Sequence, residues 1–121
     1  MDNQFIVLKT GREKYTRVCI DEIIYILAEG NYTIVKTETR NEILLCSNLK
    51  NTLEKINNEN LIKINRSTVI NYKKVLDFSA GKKPLIRLIN KDTFTPTKKY
   101  IENIKEKIIH TEKGAIHTKK E

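Results

Sequence analysis

Three short polar segments hold the side chains best suited to chemistry: Asn31-Tyr32, Asn65-Arg66-Ser67 and Lys98-Lys99. A guanidinium group such as that of Arg66 can bind O6 and N7 of guanine at once, and an asparagine amide can pair with N6 and N7 of adenine. Lysine offers a compact charge that suits a phosphate. These residue types favour recognition of bases and phosphates.

The segment Asn65-Arg66-Ser67 is a polar corner between two runs rich in β-branched residues, 61–64 and 68–70. Such runs fit a half-buried, pleated surface, so we expect two strands that hold the corner at their junction. An alternative is that Arg66 pairs with a carboxylate of its own fold, although few acids lie nearby in the sequence. Asn71 is expected to satisfy backbone groups at the end of the second strand.

Lys98 and Lys99 precede a segment with helical apolar spacing, so they fall in its first turn. Cations there oppose the helix dipole at a cost of roughly 0.3–1 kcal/mol each, unless an anion reverses the sign. Together with the free backbone N–H groups of that turn, the two lysines predict a phosphate-binding site. The alternative is that both are solvated surface lysines and that the helix tolerates this small unfavourable free energy.

The net charge of +8 is distributed unevenly over the 121 residues, a length typical of one domain. Residues 1–60 carry 8 Lys and Arg against 9 Asp and Glu, whereas residues 61–121 carry 15 against 6. One-sided positive charge with a pI near 9.5 is typical of a protein that binds a polyanion, most often nucleic acid. A lysine-rich solvated surface is the alternative explanation.

Signatures of catalysis and of metal binding are missing. His110 and His117 lie in or beside a polar tail, so neither is expected to act as a rigid base. Cys19 and Cys46 show no metal-ligand spacing and are expected to be small buried side chains in a reducing compartment. We therefore predict that the protein is not an enzyme and has neither a cofactor nor a metal site.

No apolar run approaches the roughly 20 residues that a membrane helix requires, so we expect a soluble cytoplasmic protein.

The apolar patterns predict a mostly β domain over residues 1–109, followed by a flexible basic tail over residues 110–121. We expect strands over residues 4–9, 15–20, 24–29, 32–37, 42–46, 75–78, 85–89 and 93–95, besides the two around the corner. The run at 24–29 is apolar enough to be the central strand. Short amphipathic helices are predicted over 49–56 and 98–109, capped by Ser47 and by Thr95 or Thr97.

Four motifs in order resemble the LytTR family of DNA-binding domains over about residues 5–109. They are Ile24-Tyr25-Ile26-Leu27-Ala28-Glu29-Gly30-Asn31-Tyr32-Thr33, then Asn48-Leu49-Lys50, then Ile64-Asn65-Arg66-Ser67 with Val69-Ile70-Asn71, and Thr97-Lys98-Lys99-Tyr100. The resemblance implies an elongated fold of three small, mainly antiparallel sheets with short helices, as in bacterial transcription regulators.

The resemblance also implies that loops, not a recognition helix, read successive grooves of bent double-stranded DNA. Residues expected to contact bases are Asn31, Asn65, Arg66 and Lys98. Those expected to contact the DNA backbone are Tyr32, Ser67, Lys82, Lys83 and Lys99. In this family the corner often reads His-Arg-Ser, where this chain has Asn65-Arg66-Ser67, and the last loop often reads Ser-Arg-Arg, where this chain has Thr97-Lys98-Lys99. Because lysine replaces arginine there, the third loop is expected to contact phosphates.

Such domains are often fused to a receiver domain, for which this chain has no room, so a stand-alone regulator or an excised domain is expected. Expected partners are double-stranded DNA, a second protomer on repeated half-sites, and a separate signalling or receiver protein.

The residues alone leave two other functions open. One is a single-stranded nucleic-acid module in which Tyr32 or Tyr72 stacks on bases. The other is a protein-interaction or adaptor domain whose basic half meets an acidic partner.

Overall fold

The computed structural model describes residues 4–40 and 42–110, without the side chain of His110. The strands are β1 Phe5–Gly11, β2 Lys14–Cys19, β3 Ile23–Glu29, β4 Tyr32–Thr37, β5 Ile43–Leu45, β6 Leu61–Asn65, β7 Thr68–Asn71, β8 Val75–Ser79, β9 Leu85–Leu88 and β10 Thr93–Phe94. The helices are α1 Leu49–Ile56 and α2 Ile101–Lys105, with 3₁₀ turns at Ile20–Glu22, Tyr72–Lys74 and Lys98–Tyr100 and a π-helical turn at Glu106–His110.

The strands form three antiparallel sheets, which confirms the predicted mostly β architecture. β1 pairs with β2, and β8, β9 and β10 form a three-stranded sheet in the order β10-β9-β8. The largest sheet has the order β5-β4-β3-β7-β6, so β3 is its central strand, as its continuous apolar run predicted. Residues Ile23–Ile26 of that strand are all buried.

Each face of the five-stranded sheet has its own apolar core. One core joins the β1–β2 hairpin and α1 to the sheet and includes Leu8, Val18, Ile26, Val35, Leu45, Ile56 and Val69. The other joins the three-stranded sheet and α2 to the opposite face and includes Ile24, Ile64, Ile70, Ile86, Leu88 and Ile104. Because β3 contributes to both cores, the sheet is fixed from both sides and provides a rigid support for its turns.

A partly buried hydrogen bond connects the five-stranded sheet to the three-stranded one. The hydroxyl of Tyr25 in β3 donates to Oδ2 of Asp92, 2.7 Å away in the β9–β10 turn. The same carboxylate oxygen accepts from Nδ2 of Asn90 at 2.8 Å. Burial, the hydrogen bond to Asp92 and the nearby carboxylates raise the pKa of Tyr25 above its usual value. The neutral phenol is therefore the form that this contact requires.

The predicted cap of α1 was wrong by one residue. Asn48 is the N-cap, and its side-chain oxygen accepts from the backbone N–H of Asn51 at 2.8 Å. The carbonyl oxygen of Ser47 instead accepts from the hydroxyl of Thr33 at 2.6 Å. An asparagine and a serine are about equally good caps, so the register was decided by this tertiary contact to β4.

Two further predictions need correction. Cys19 is buried as expected, but Cys46 is exposed, because it follows the short strand β5 and does not face either core. The C-terminal helix begins at Lys98 as predicted, but its N-cap Thr97 makes no side-chain capping hydrogen bond. Thr95 lies two residues before this N-cap and is therefore not the cap.

The predicted tail after His110, including His117, lies outside the described residues, as does Asn41 in the β4–β5 turn. Within the described ranges, the helices are all too short and too polar to span a membrane.

Candidate nucleic-acid interface

The first candidate segment is the two-residue turn between β3 and β4. Glu29 pairs with Tyr32, so Gly30 and Asn31 alone reverse the chain. Gly30 has φ of +62°, a conformation that glycine adopts without strain. Asn31 is exposed at the tip, and the Tyr32 side chain is 46% exposed beside it. The predicted hairpin is confirmed, and it presents an amide and a phenol to solvent.

The second segment is the corner between β6 and β7, where Asn65 pairs with Thr68 and leaves Arg66 and Ser67 as the turn. The side-chain oxygen of Asn65 accepts from the backbone N–H of Ser67 at 3.0 Å and from its hydroxyl at 3.4 Å. This is an Asx turn, in which asparagine replaces a backbone acceptor. Asn65 therefore fixes the conformation of the turn that carries Arg66.

The two turns lie at the same end of the five-stranded sheet. β3 and β7 are antiparallel neighbours with Leu27 opposite Thr68, so the last residues of β3 lie beside the corner. The backbone N–H of Ala28 donates to the carbonyl oxygen of Ser67 at 2.8 Å. This bond ties the corner to the strand that ends in Gly30-Asn31.

The third segment is tied to the corner by two hydrogen bonds. Nδ2 of Asn65 donates to the carbonyl oxygen of Thr95 at 3.2 Å, and the backbone N–H of Thr97 donates to the carbonyl oxygen of Ile64 at 2.9 Å. Pro96 between them is buried. Lys98 follows directly, so the three predicted segments converge. We call their combined surface, residues 30–32, 65–67 and 95–99, the loop face.

Arg66 is exposed and does not pair with a carboxylate in the part of the chain that the structure describes. The ion pairs there are Lys74 with Glu38, Arg87 with Asp77, and Lys105 with Glu102. The alternative that Arg66 serves an internal ion pair therefore has no support. Its five N–H donors are left for a partner outside the fold.

A groove of about 610 Å³ runs between the loop face and α1, and Arg66 and Gly30 line it. Lys50 from α1 and Lys63 from β6 line the same groove, together with the acid Glu54. Both lysines are exposed, and neither was among the predicted site residues. The sequence held a signal for each of them: Lys63 is the outward residue between buried Ile62 and Ile64, and Lys50 lies in the first turn of α1, an unfavourable place for a cation.

Lys98 and Lys99 are exposed in the first turn of the C-terminal helix, as predicted. The Nζ atom of Lys99 lies 5.5 Å from the centre of the Tyr100 ring, close enough for a cation–π contact. Both ammonium groups thus lie beside the corner without a carboxylate partner among the described residues.

Lys82 and Lys83 lie apart from the other predicted residues, in the exposed loop between β8 and β9. Phe94, the last residue of β10, pairs with Ile86 near the start of β9. The β8–β9 loop therefore lies at the end of the three-stranded sheet where β10 ends and the chain continues towards the corner. Within residues 4–40 and 42–110, however, no hydrogen bond connects that loop to the three segments.

Asn71 and Tyr72 have structural positions. Nδ2 of Asn71 donates to the carbonyl oxygen of Ile23 at 3.0 Å and its Oδ1 accepts from Lys73, which confirms its predicted backbone role. Tyr72 is only 7% exposed, and the Nζ atom of Lys107 lies 5.6 Å from its ring centre. Tyr72 is therefore not available to stack on a base, and Tyr32 alone offers an open ring at the loop face.

Comparisons with known proteins bear on the family and on the fold. The family model for the LytTr DNA-binding domain matches residues 13–109. Among solved structures, the LytTr DNA-binding domain of a protein from Bacillus cereus has a TM-score of 0.68 at 15% sequence identity, covering 88% of this chain and 96% of that chain. A comparison with curated proteins gives no match. The structural likeness is one of fold, whereas the match to the family model rests on the sequence itself.

Proposed function

The chain belongs to the LytTR family of DNA-binding domains, which serve transcription regulators, and on that premise we propose that it reads double-stranded DNA sequence-specifically through the loop face. The observation that carries the proposal is Arg66. Its guanidinium is exposed at a rigid corner and has no carboxylate partner in the described structure. An exposed arginine without an internal partner, carried on a fixed turn, is suited to bidentate recognition of a guanine edge.

The residues of the loop face divide by chemistry. Arg66 reads guanine, and the exposed amide of Asn31 reads a second base. The side-chain oxygen of Asn65 already accepts from Ser67, and one of its two amide N–H groups donates to Thr95. Asn65 therefore contacts a base only through its second N–H. A bidentate contact of Asn65 with adenine would break the Asx turn.

Lysines and hydroxyl groups supply the contacts that position the DNA. Lys99, Tyr32 and Ser67 hold phosphates next to the bases that are read, and Lys98 reaches a base edge or the adjoining phosphate. Lys82 and Lys83 contact the DNA backbone from the separate β8–β9 loop. Such phosphate contacts set affinity and orientation but do not distinguish sequences.

We propose further that two protomers occupy repeated half-sites about one helical turn apart, the spacing that keeps both on one face of the duplex. A separate signalling or receiver protein would then control occupancy.

Selection of bound duplexes from a random pool, followed by a salt titration of the best sequence, tests the proposal. We expect one enriched motif that contains a guanine whose replacement lowers affinity. An absence of enrichment, with duplex binding at low salt, would contradict specific reading.

The same titration separates the other functions. Competition by single strands at least as strong as by duplex would favour a single-stranded module built on Tyr32. Absence of affinity for either nucleic acid at moderate salt would favour a protein-interaction domain.

A further inference from the structure

A second cavity, of about 480 Å³, lies between the β1–β2 hairpin and the segment that joins β5 to α1. We call it the hairpin pocket. α1 separates it from the groove beside Arg66: Thr52 and Lys55 line the hairpin pocket, whereas Lys50 and Glu54, on the opposite side of the helix, line the groove. The hairpin pocket is thus a distinct site, and the proposed DNA contacts do not use it.

The walls of the hairpin pocket combine an apolar floor with a basic rim. Leu8 and Leu45 line it and are each only 2% exposed, so they are held in place by the core behind them. Lys9, Arg12 and Lys55 line it with exposed side chains. The lining contains three cations and no acid, and none of the three forms an ion pair within the described residues.

A cavity of this kind favours one class of ligand. Its volume lies in the range of roughly 300–1,000 Å³ that is usual for small-molecule sites, and a mainly apolar lining with a few convergent polar groups is their common composition. Three cations without an acid exclude cationic ligands by repulsion and favour a carboxylate or phosphate head group. Leu8 and Leu45, together with the aliphatic stems of the exposed Lys9, Arg12 and Lys55 side chains, give the lining apolar surface that favours an apolar body on that ligand.

We propose that the hairpin pocket binds a small amphipathic organic anion, with its acidic head at Arg12, Lys9 and Lys55 and its apolar chain over Leu8 and Leu45. Ser47, which also lines the pocket, adds a partly exposed hydroxyl group, whereas the hydroxyl of buried Thr52 already donates to the carbonyl oxygen of Asn48. The site requires no DNA and no second protomer, so it can be tested on the isolated chain whatever the outcome for DNA binding.

Cys46 provides a built-in reporter, since its exposed thiol lines the pocket, whereas Cys19, the other cysteine, is buried. The experiment follows the rate at which the neutral reagent N-ethylmaleimide modifies Cys46 while octanoate is titrated. We expect saturable protection by octanoate. Octylammonium, which has the same chain length and the opposite charge, should give none. Backbone amide shifts of Leu8, Gly11 and Ser47 in the same titration should report the same affinity.

The Arg12→Glu variant should weaken octanoate binding about tenfold or more, because a hydrogen bond to a charged group contributes roughly 1.5–3 kcal/mol. Arg40→Glu makes the same change of charge in the β4–β5 turn, outside the pocket, and should leave the affinity unaltered. The inference is overturned if octanoate gives no saturable protection, if octylammonium protects equally, or if both variants bind octanoate alike. The amide shifts of unliganded Arg12→Glu establish that it is folded.

Discussion

Nδ2 of Asn65 donates to the carbonyl oxygen of Thr95 at 3.2 Å, and this bond joins the corner that carries Arg66 to the segment that carries Lys98. The oxygen of the same amide closes the turn on Ser67. Together with the bond from the backbone N–H of Thr97 to the carbonyl oxygen of Ile64, this side chain sets the position of the two loops relative to each other. Binding residues are more precise when such contacts fix them before the ligand arrives, because less ordering is required on binding.

Replacement of Asn65 by alanine should therefore affect stability as well as DNA binding. Loss of the hydrogen bonds to Thr95 and Ser67 should lower the free energy of unfolding by about 1–3 kcal/mol, since each contributes roughly 0.5–1.5 kcal/mol. Urea unfolding measures this change. Ser79→Ala, at an exposed position at the end of β8, provides the control. An Asn65→Ala protein as stable as the wild type, with lower DNA affinity only, would show that the amide acts on DNA alone.

Replacement of Arg66 by alanine should leave stability nearly unchanged, because Arg66 has no ion-pair partner among the described residues. It should weaken binding to the selected duplex by roughly 1–3 kcal/mol and relax the preference at one base pair. Arg40→Ala removes the same charge at the opposite end of the five-stranded sheet and should keep the preference. If the sequence selected by Arg66→Ala matches that of the wild type, Arg66 does not read a base.

Replacement of Lys99 by alanine should weaken binding to all duplexes alike. The slope of log affinity against log salt should fall by about one unit, as loss of one phosphate contact predicts. Lys73, exposed after β7 at the far end of the sheet, gives the matched control. Equal slopes for Lys99→Ala and the wild type would remove Lys99 from the phosphate contacts.

The sequence allowed most of the fold to be predicted, because local patterns specify it. The β-branched runs marked the strands, and Gly30-Asn31 marked a two-residue turn, a signal strong enough to identify the β3–β4 hairpin and its turn. The apolar run in β3 identified the central strand. These features depend on residues near each other in the chain, which a pattern can represent.

The role of Asn65 was beyond sequence reasoning, since its partner Thr95 is 30 residues away. The exposure of Cys46 and the shift of the α1 cap to Asn48 likewise follow from tertiary contacts, the latter through Thr33. Lys50 and Lys63 were missed for a related reason. Their shared groove exists only once α1 packs against the five-stranded sheet, although each lysine had a local signal.

The contact between Tyr25 and Asp92 gives a prediction about pH. Burial and the carboxylate of Asp92 raise the pKa of Tyr25 in the folded state, so the folded protein retains a proton that the unfolded chain releases above about pH 10. The stabilisation is thus fully present below pH 10 and declines as the pH rises, by up to roughly 1.4 kcal/mol per pH unit. Tyr25→Phe removes both the hydrogen bond and this titration, while keeping a ring to pack against Phe94, whose ring centre is 4.8 Å away.

Urea unfolding of both proteins, followed by circular dichroism between pH 7 and 11, measures the effect. At pH 7 Tyr25→Phe should be less stable by about 1.5–3 kcal/mol, the usual loss for a hydrogen bond to a charged group. The difference should shrink above pH 10, because only the wild type loses stability through this phenol. All other groups are the same in both proteins, so their effects cancel in the difference. A difference that stays constant from pH 7 to 11 would mean that the Tyr25 proton is not held by Asp92.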